Sequence, residues 1–274
     1  MDFLFGPKDV LTLGFRHDLL KNDDDTVNDG KIRTPYANVT YWLSRKDAVL
    51  LNYDYTDARF WSNNYLDAGD DYTGHGAGIR YVRLLTEHAS GSIGYHFTNR
   101  DFDGLSEDYA VHEGSIAFEQ AFAPDLSLSV ECGYFVQDND ESDDDGGITY
   151  DARVEKLFER GSFFIGGTGG WDEAYLEAER RGFSRYYSVE AGLRYGILES
   201  LDVHGTWSYR LDKDEEDQEW TTWRRGCGLT WAFAKELSLS LDYTYADRDD
   251  DLDTQDYQVN RVMLRLTASK LWKW

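Results

Sequence analysis

The chain is poor in the residues that break or staple a fold. Among 274 residues there are three prolines and two cysteines. Scarce proline leaves backbone donors free for long hydrogen-bonded runs. Cys132 and Cys227 cannot frame a disulfide-built scaffold. Both fall on the apolar side of separate alternating segments and read as small buried hydrophobes rather than a disulfide. Basic charge is also scarce: 28 Lys and Arg stand against 52 Asp and Glu, a net −24. That balance argues against nucleic acid as a partner, because phosphate binding needs a basic surface. No stretch approaches the ~18 apolar residues of a membrane helix. No basic segment followed by an apolar run marks a signal peptide at MDFLFGPKDV. The acidic excess does not spell disorder, since 19 Tyr, 14 Phe and 9 Trp supply ample apolar surface.

What is present is a period of two. Leu126, Ser127, Leu128, Ser129, Val130 and Glu131 alternate strictly, and AFAPDLSLSVECGYF nearly recurs as AFAKELSLSLDYTY about 110 residues later. Alternation marks strands near 9–19, 36–44, 48–57, 74–85, 89–99, 110–122, 126–137, 147–158, 162–171, 185–196, 201–211, 220–233, 237–246 and 258–274, fourteen in all. The weakest are 74–85, where RYVRLL mixes charge into both faces, and glycine-rich 162–171; without them the count is twelve. The best helical candidate, EAYLEAERR at 173–181, sits in a connection.

Connections alternate in kind. SRKDA, LTEHA, APD, ERGS, ILES and AKE are tight turns, whereas seven connections are long and rich in Asp, Gly or Asn. The pattern describes an up-and-down antiparallel meander with both termini at the short-turn end. The long connections, 21–33, 57–71, 100–108, 138–145, 172–185, 212–219 and 247–256, hold 34 of the 52 acids and 10 of the 28 bases. The whole net charge of −24 therefore lies in one set of loops, and the remainder balances.

The two strand faces differ sharply. One carries Leu11, Leu13, Phe15, Leu51, Tyr53, Ile93, Tyr95, Ile116, Phe118, Val189 and Leu193. The other carries Arg16, Asp54, Arg80, His96, Glu119, Glu131, Asp151, Arg153, Glu155, Glu190, Arg194, Asp202, His204, Arg224, Asp242 and Arg265. A soluble barrel encloses its apolar face. Charge confined to the opposite face fits the inverse, with lipid outside and water or salt bridges inside. Closure follows, because an open edge in hydrocarbon leaves backbone groups unpaired. Aromatics gather near both strand ends, Phe122, Phe158, Trp231 and Trp272 at the turns and Tyr55, Trp61, Trp220 and Tyr245 near the loops, as interfacial girdles do. The expected fold is all-β: a single closed up-and-down antiparallel transmembrane β-barrel domain over 1–274, with short turns at one end and long acidic loops at the other.

With these features the sequence resembles bacterial outer-membrane β-barrels, and the likeness covers nearly the whole chain. The final NRVMLRLTASKLWKW (260–274) is similar to their closing strand, which alternates and ends on an aromatic. In that family this strand is the signal read by the assembly machinery and usually ends in Phe; here it ends in Trp274. The wording NRVMLRLTASK also resembles the β-barrel porins associated with exopolysaccharide and exosortase loci. The resemblance implies an outer-membrane location with the short turns periplasmic and the long acidic loops extracellular, the bilayer and lipopolysaccharide as surroundings, and a passive channel for small hydrophilic solutes or ions, or a conduit for polysaccharide export. A scaffold barrel with a salt-bridged, closed lumen is the alternative, and a soluble glycan-binding β-protein a third.

Dedicated chemistry is not in evidence. His17, His75, His88, His96, His112 and His204 keep no ligand spacing, so neither an enzyme nor a cofactor is expected. The runs Asp143, Asp144, Asp145 and Asp249, Asp250, Asp251 lack calcium-loop spacing and suit at most diffuse divalent binding. The acidic loops at one mouth predict a preference for cations.

Overall fold

The structure is a computed structural model that describes residues 1–21, 29–61, 71–104, 106–140, 145–173, 183–214, 218–251 and 256–268. Its fifteen strands are β1 (Asp2–Leu4), β2 (Val10–Leu20), β3 (Asp29–Trp42), β4 (Asp47–Trp61), β5 (Tyr72–Leu84), β6 (Ala89–Phe102), β7 (Tyr109–Ala123), β8 (Leu126–Asn139), β9 (Asp145–Phe158), β10 (Gly161–Glu173), β11 (Phe183–Leu198), β12 (Leu201–Asp214), β13 (Glu219–Ala234), β14 (Leu237–Asp250) and β15 (Tyr257–Ala268). Strands adjacent in sequence are adjacent in the sheet, and the ladders are antiparallel, as in β2 with β3 and β13 with β14. There is no helix among the described residues. The helical candidate at 173–181 has its first residue at the end of β10, and the rest lies outside the described residues.

The fourteen segments form as β2 to β15, including β5 and β10, the last of them as far as Ala268, with 269–274 outside the described residues. Among the described residues the count is nevertheless fifteen, odd rather than even, because three residues at the start pair as β1, Asp2 opposite Thr12 and Leu4 opposite Val10. Three residues are too short to display a period of two, so this strand leaves no alternation to read. The strands also outrun their sequence limits at the long-loop end. β3 begins at Asp29, β4 continues to Trp61, β12 to Asp214 and β14 to Asp250. Polar side chains stand on both faces there, so alternation fades while the backbone ladder goes on, Asp29 opposite Trp61 and Trp220 opposite Asp250.

The chain falls into two compact units. One comprises residues 1–119, 131–149 and 173–181, and the other 120–130, 150–172 and 182–274. In each, the apolar face is the exposed one: Phe15, Ile93 and Ile116 in the first, Leu193, Val262 and Leu264 in the second. Cys132 and Cys227 lie on this face and are free and exposed, which corrects their reading as buried hydrophobes. They face outward because the packed core is small and lies on the other side.

That core occupies the loop-proximal end of the polar face. In the first unit Ile32, Ala58, Tyr72 and Phe102 form one row straight across β3 to β6, and all four are buried. Tyr72 and Phe102 have ring centroids 5.2 Å apart. In the second unit the corresponding end carries Asp212, Trp220 and Asp250 in one row, all buried. Arg210 Nη2 lies 2.6 Å from Asp212, and Arg248 Nη2 lies 3.0 Å from Asp250. Arg210 covers the Tyr186 ring and Arg248 the Trp220 ring, at 4.2 and 5.1 Å.

Candidate functional site

The polar face of the first unit has a floor without side chains. Gly74, Gly76 and Gly78 occupy successive positions on that face of β5, one every second residue. Neighbouring strands lay polar groups over them. A Cβ at Gly76 would sit 2.4 Å from Asp54 Oδ1, and one at Gly78 would sit 2.2 Å from Asn52 Oδ1 and 2.9 Å from His96 Nδ1. Side chains of β4 and β6 thus approach each other across β5, which only glycine permits. Two cavities open here and share Asn52. One, of about 390 Å³, is bordered by Arg16, Thr34, Tyr36, Asn38, Asp54 and Arg100. The other, of about 210 Å³, is bordered by Arg80, His96, Glu113, Ser115 and Glu131.

Ion pairs set the electrostatics. Arg80, on β5, reaches past β6 and β7 to Glu131 on β8 in a two-point pair, Nη1 to Oε2 at 2.9 Å and Nη2 to Oε1 at 2.5 Å. It passes over Gly94, where a Cβ would lie 3.4 Å from Arg80 Nε. Glu113 accepts from Thr149 Oγ1 at 2.8 Å, and Glu119 lies 3.5 Å from Ser90 Oγ. Arg16 pairs with Asp18 at 2.8 Å. Thr98 Oγ1 lies 3.2 Å from His96 Nε2.

The second unit repeats the device. His204 Nε2 meets Asp242 Oδ1 at 3.1 Å across β13, above Gly228, where a Cβ would lie 2.5 Å from Asp242 Oδ1. Arg153 pairs with Glu190 at 3.1 Å and covers the Phe164 ring at 3.7 Å. Arg194 pairs with Asp202 at 3.1 Å. Asp151 stands opposite Thr168 and Glu155 opposite Phe164. Arg224 stands between Ser208 and Ala246, and Arg265 opposite Ser240, with no carboxylate among the described residues paired to either.

The residues expected to line a pore fall into these separate groups rather than one centre. The described members of the aspartate runs are engaged one by one. Asp249 and Asp250 belong to β14, so alternation sends them to opposite faces, and Asp250 is taken by Arg248. Asp251 accepts from the Glu219 backbone N–H at 3.0 Å. Asp145 opens β9 and accepts from the Gly146 N–H at 2.7 Å. Asp143, Asp144 and Trp274 lie outside the described residues. Among the described residues no group of three or more His, Cys, Asp or Glu side chains is placed to hold a metal. Sequence reasoning passed over the glycine column, Tyr36, Arg100 and Glu113. The signal for the first was visible in GHGAG, three glycines at strand period.

The apolar face carries its own polar pairs near the long-loop end. Tyr53 Oη lies 2.8 Å from His75 Nδ1, Tyr95 Oη lies 2.7 Å from His112 Nδ1, and Tyr243 Oη donates to Asn260 Oδ1 at 2.7 Å. Phenols anchored in this way suit a membrane–water boundary.

No protein-family model matches the sequence, and no curated protein matches it significantly. Solved structures do. The FrpB iron transporter of Neisseria meningitidis superposes with a TM-score of 0.66 at 12% identity, over 91% of this chain and 50% of that one. The alcaligin outer-membrane receptor FauA of Bordetella pertussis gives 0.55 at 13% identity, over 97% of this chain and 55% of that one. The ferric yersiniabactin uptake receptor FyuA of Yersinia pestis gives 0.55 at 9%, over 89% and 49%. The chain thus spans about half the length of the structures it resembles. The likeness is one of fold, an antiparallel β-sheet like that of these outer-membrane proteins.

Proposed function

We propose that the chain works in the bacterial outer membrane as a closed β-barrel channel for passive movement of small hydrophilic solutes, or as a conduit in polysaccharide export, with a cation-preferring mouth. The observation that carries this reading is the contrast between faces. Large apolar side chains are exposed on one, such as Ile116 at 63%, while charged side chains stay wet on the other, Arg16 at 68% and Arg194 at 65%. An apolar face this exposed needs lipid, and an open edge in lipid is prohibitive, so the sheet closes. Transport across the outer membrane is also what the printed names of the structural neighbours describe. Recordings across a planar bilayer test the proposal: discrete conductance with a cation-directed reversal potential supports it.

The buried aromatic row at the loop end of the first unit, Tyr72 and Phe102 above all, favours a second reading. In it the barrel is shut at that end and serves as a scaffold whose acidic loops hold partners. Purified protein that inserts but never conducts would select it. The neighbouring lipid, lipopolysaccharide bridged by divalent cations, and recognition of the C-terminal strand by the assembly machinery belong to either reading.

A further inference from the structure

We propose that the cavity bordered by Tyr36, Asn38, Asn52 and Asp54 is a binding subsite for a neutral hexose unit of an oligosaccharide; this rests on the channel reading above and names a solute class for it. Asp54 and Asn52 lean over β5 because Gly76 and Gly78 carry no Cβ there; one would come within 2.4 Å of Asp54 Oδ1 and 2.2 Å of Asn52 Oδ1. In this cavity the Tyr36 ring covers Gly14, where a Cβ would come within 2.1 Å of Tyr36 Cζ. The ring keeps 37% of its surface exposed, a platform on which a sugar's C–H face can rest.

Around the platform stand Asn38, Asn52 and Asp54, none with a hydrogen-bond partner among the described residues. Planar amides and a carboxylate each offer two polar atoms side by side, the spacing that adjacent ring hydroxyls match. The ions of the site favour an uncharged ligand. Arg16 is held by Asp18 and Arg80 by Glu131, so an anionic solute would have to break an existing pair. A hydroxyl needs only the donors and lone pairs those groups retain. An acceptor-only anion would face the Asp54 carboxylate, and a cation the Arg16 guanidinium.

The test uses the full chain in detergent micelles, maltotriose as neutral probe and trigalacturonate as anionic probe, with binding measured by calorimetry. Wild-type protein is expected to bind maltotriose more tightly than trigalacturonate. Asn38→Ala combined with Asp54→Ala should weaken maltotriose by at least about tenfold, the loss expected from one to two hydrogen bonds. Gly78→Leu, which would displace Asn52 from over β5, should do the same, and heat-modifiable gel mobility reports whether each variant is folded. Absence of maltotriose binding, equal affinity in the folded Asn38/Asp54 variant, or preference for trigalacturonate would overturn the subsite. Conductance separates the two claims. Conducting protein that binds no sugar removes the subsite alone, and sugar-binding protein without conductance removes the channel alone.

Discussion

A single position shows what the two faces cost. Leu193 is 49% exposed on the apolar face of β11, with Val189 and Ile197 beside it on the same side. Next to it Arg194 points the other way and pairs with Asp202. Leu193→Arg should therefore cost about 2–4 kcal/mol in folding into lipid vesicles, since it puts a guanidinium into hydrocarbon. Arg194→Leu should cost far less, because Asp202 keeps access to water. Guanidinium titration of both variants checks the order; equal costs would mean the faces are reversed. The same logic reaches the turns. Asp47 accepts from Ser44 Oγ at 2.6 Å and from Tyr81 Oη at 2.5 Å. These bonds, from Ser44 first and Tyr81 next, with help from Arg83, hold its carboxyl below the usual carboxylate range. A depressed folded value means the contribution is present above the unfolded value near 4 and is lost as pH falls through the folded one. Carbon-detected NMR titration should place Asp47 below ordinary aspartate, and Ser44→Ala should move it upward.

At the scale of elements, the loop ends of β13 and β14 are held by a pair that was invisible as such in the sequence. Arg248 and Asp250 expose 4% and 0% of their side chains. Arg248→Met should cost about 3–5 kcal/mol by leaving a buried carboxylate, while Arg248→Met with Asp250→Leu should recover most of it. Denaturant midpoints of the single and double variants decide this, and a single variant as stable as the parent would show that water reaches Asp250. DRDDDLDTQD reads as a solvated acidic loop because its charge hides the alternation. Yet β14 runs through Asp250, and alternation there puts Arg248 and Asp250 on one face and Asp249 on the other. The tight turns and the fourteen longer strands were legible, since each needs only local period and turn chemistry. What escaped depends on partners far along the chain: β1, defined by its pairing with β2, and the approach of Asn52 to His96 over Gly78. The glycines of β5 look like weak strand formers; their value appears only when neighbouring side chains need the space.

Over the whole molecule, charge separates along the strands rather than within the sheet. The seven long connections carry the full −24 of the sequence, and the groups described at the loop ends are partly self-neutralised. Arg59 contacts Asp57, Asp71 and Asp103 at 2.9, 3.1 and 2.8 Å, and bonds to Asp71 and then Asp103 raise its already high pKa further. Arg210 takes Asp172 and Asp212, and Arg248 takes Asp250. The acids left to act on ions at the mouth are then the exposed ones. Their field reaches about 8–10 Å at physiological salt and about 3 Å at 1 M, so in the proposed channel they would concentrate cations at the entrance. The channel should prefer cations at low salt and lose that preference as salt approaches ~1 M. Replacing Asp143, Asp144, Asp145, Asp249 and Asp251 with Asn should weaken it while leaving heat-modifiable folding intact. Asp250 is left out because its carboxylate belongs to Arg248, so Asp250→Asn should lower stability without shifting selectivity. Reversal potentials under a salt gradient, measured for the parent and the fivefold variant, carry the decision. Anion preference, or selectivity indifferent to the fivefold change, would move control to the polar face. Arg153 and Arg194 are neutralised there by Glu190 and Asp202, whereas Arg224 and Arg265 face Ser208, Ala246 and Ser240. Arg224→Gln and Arg265→Gln would then be the substitutions that reverse the sign.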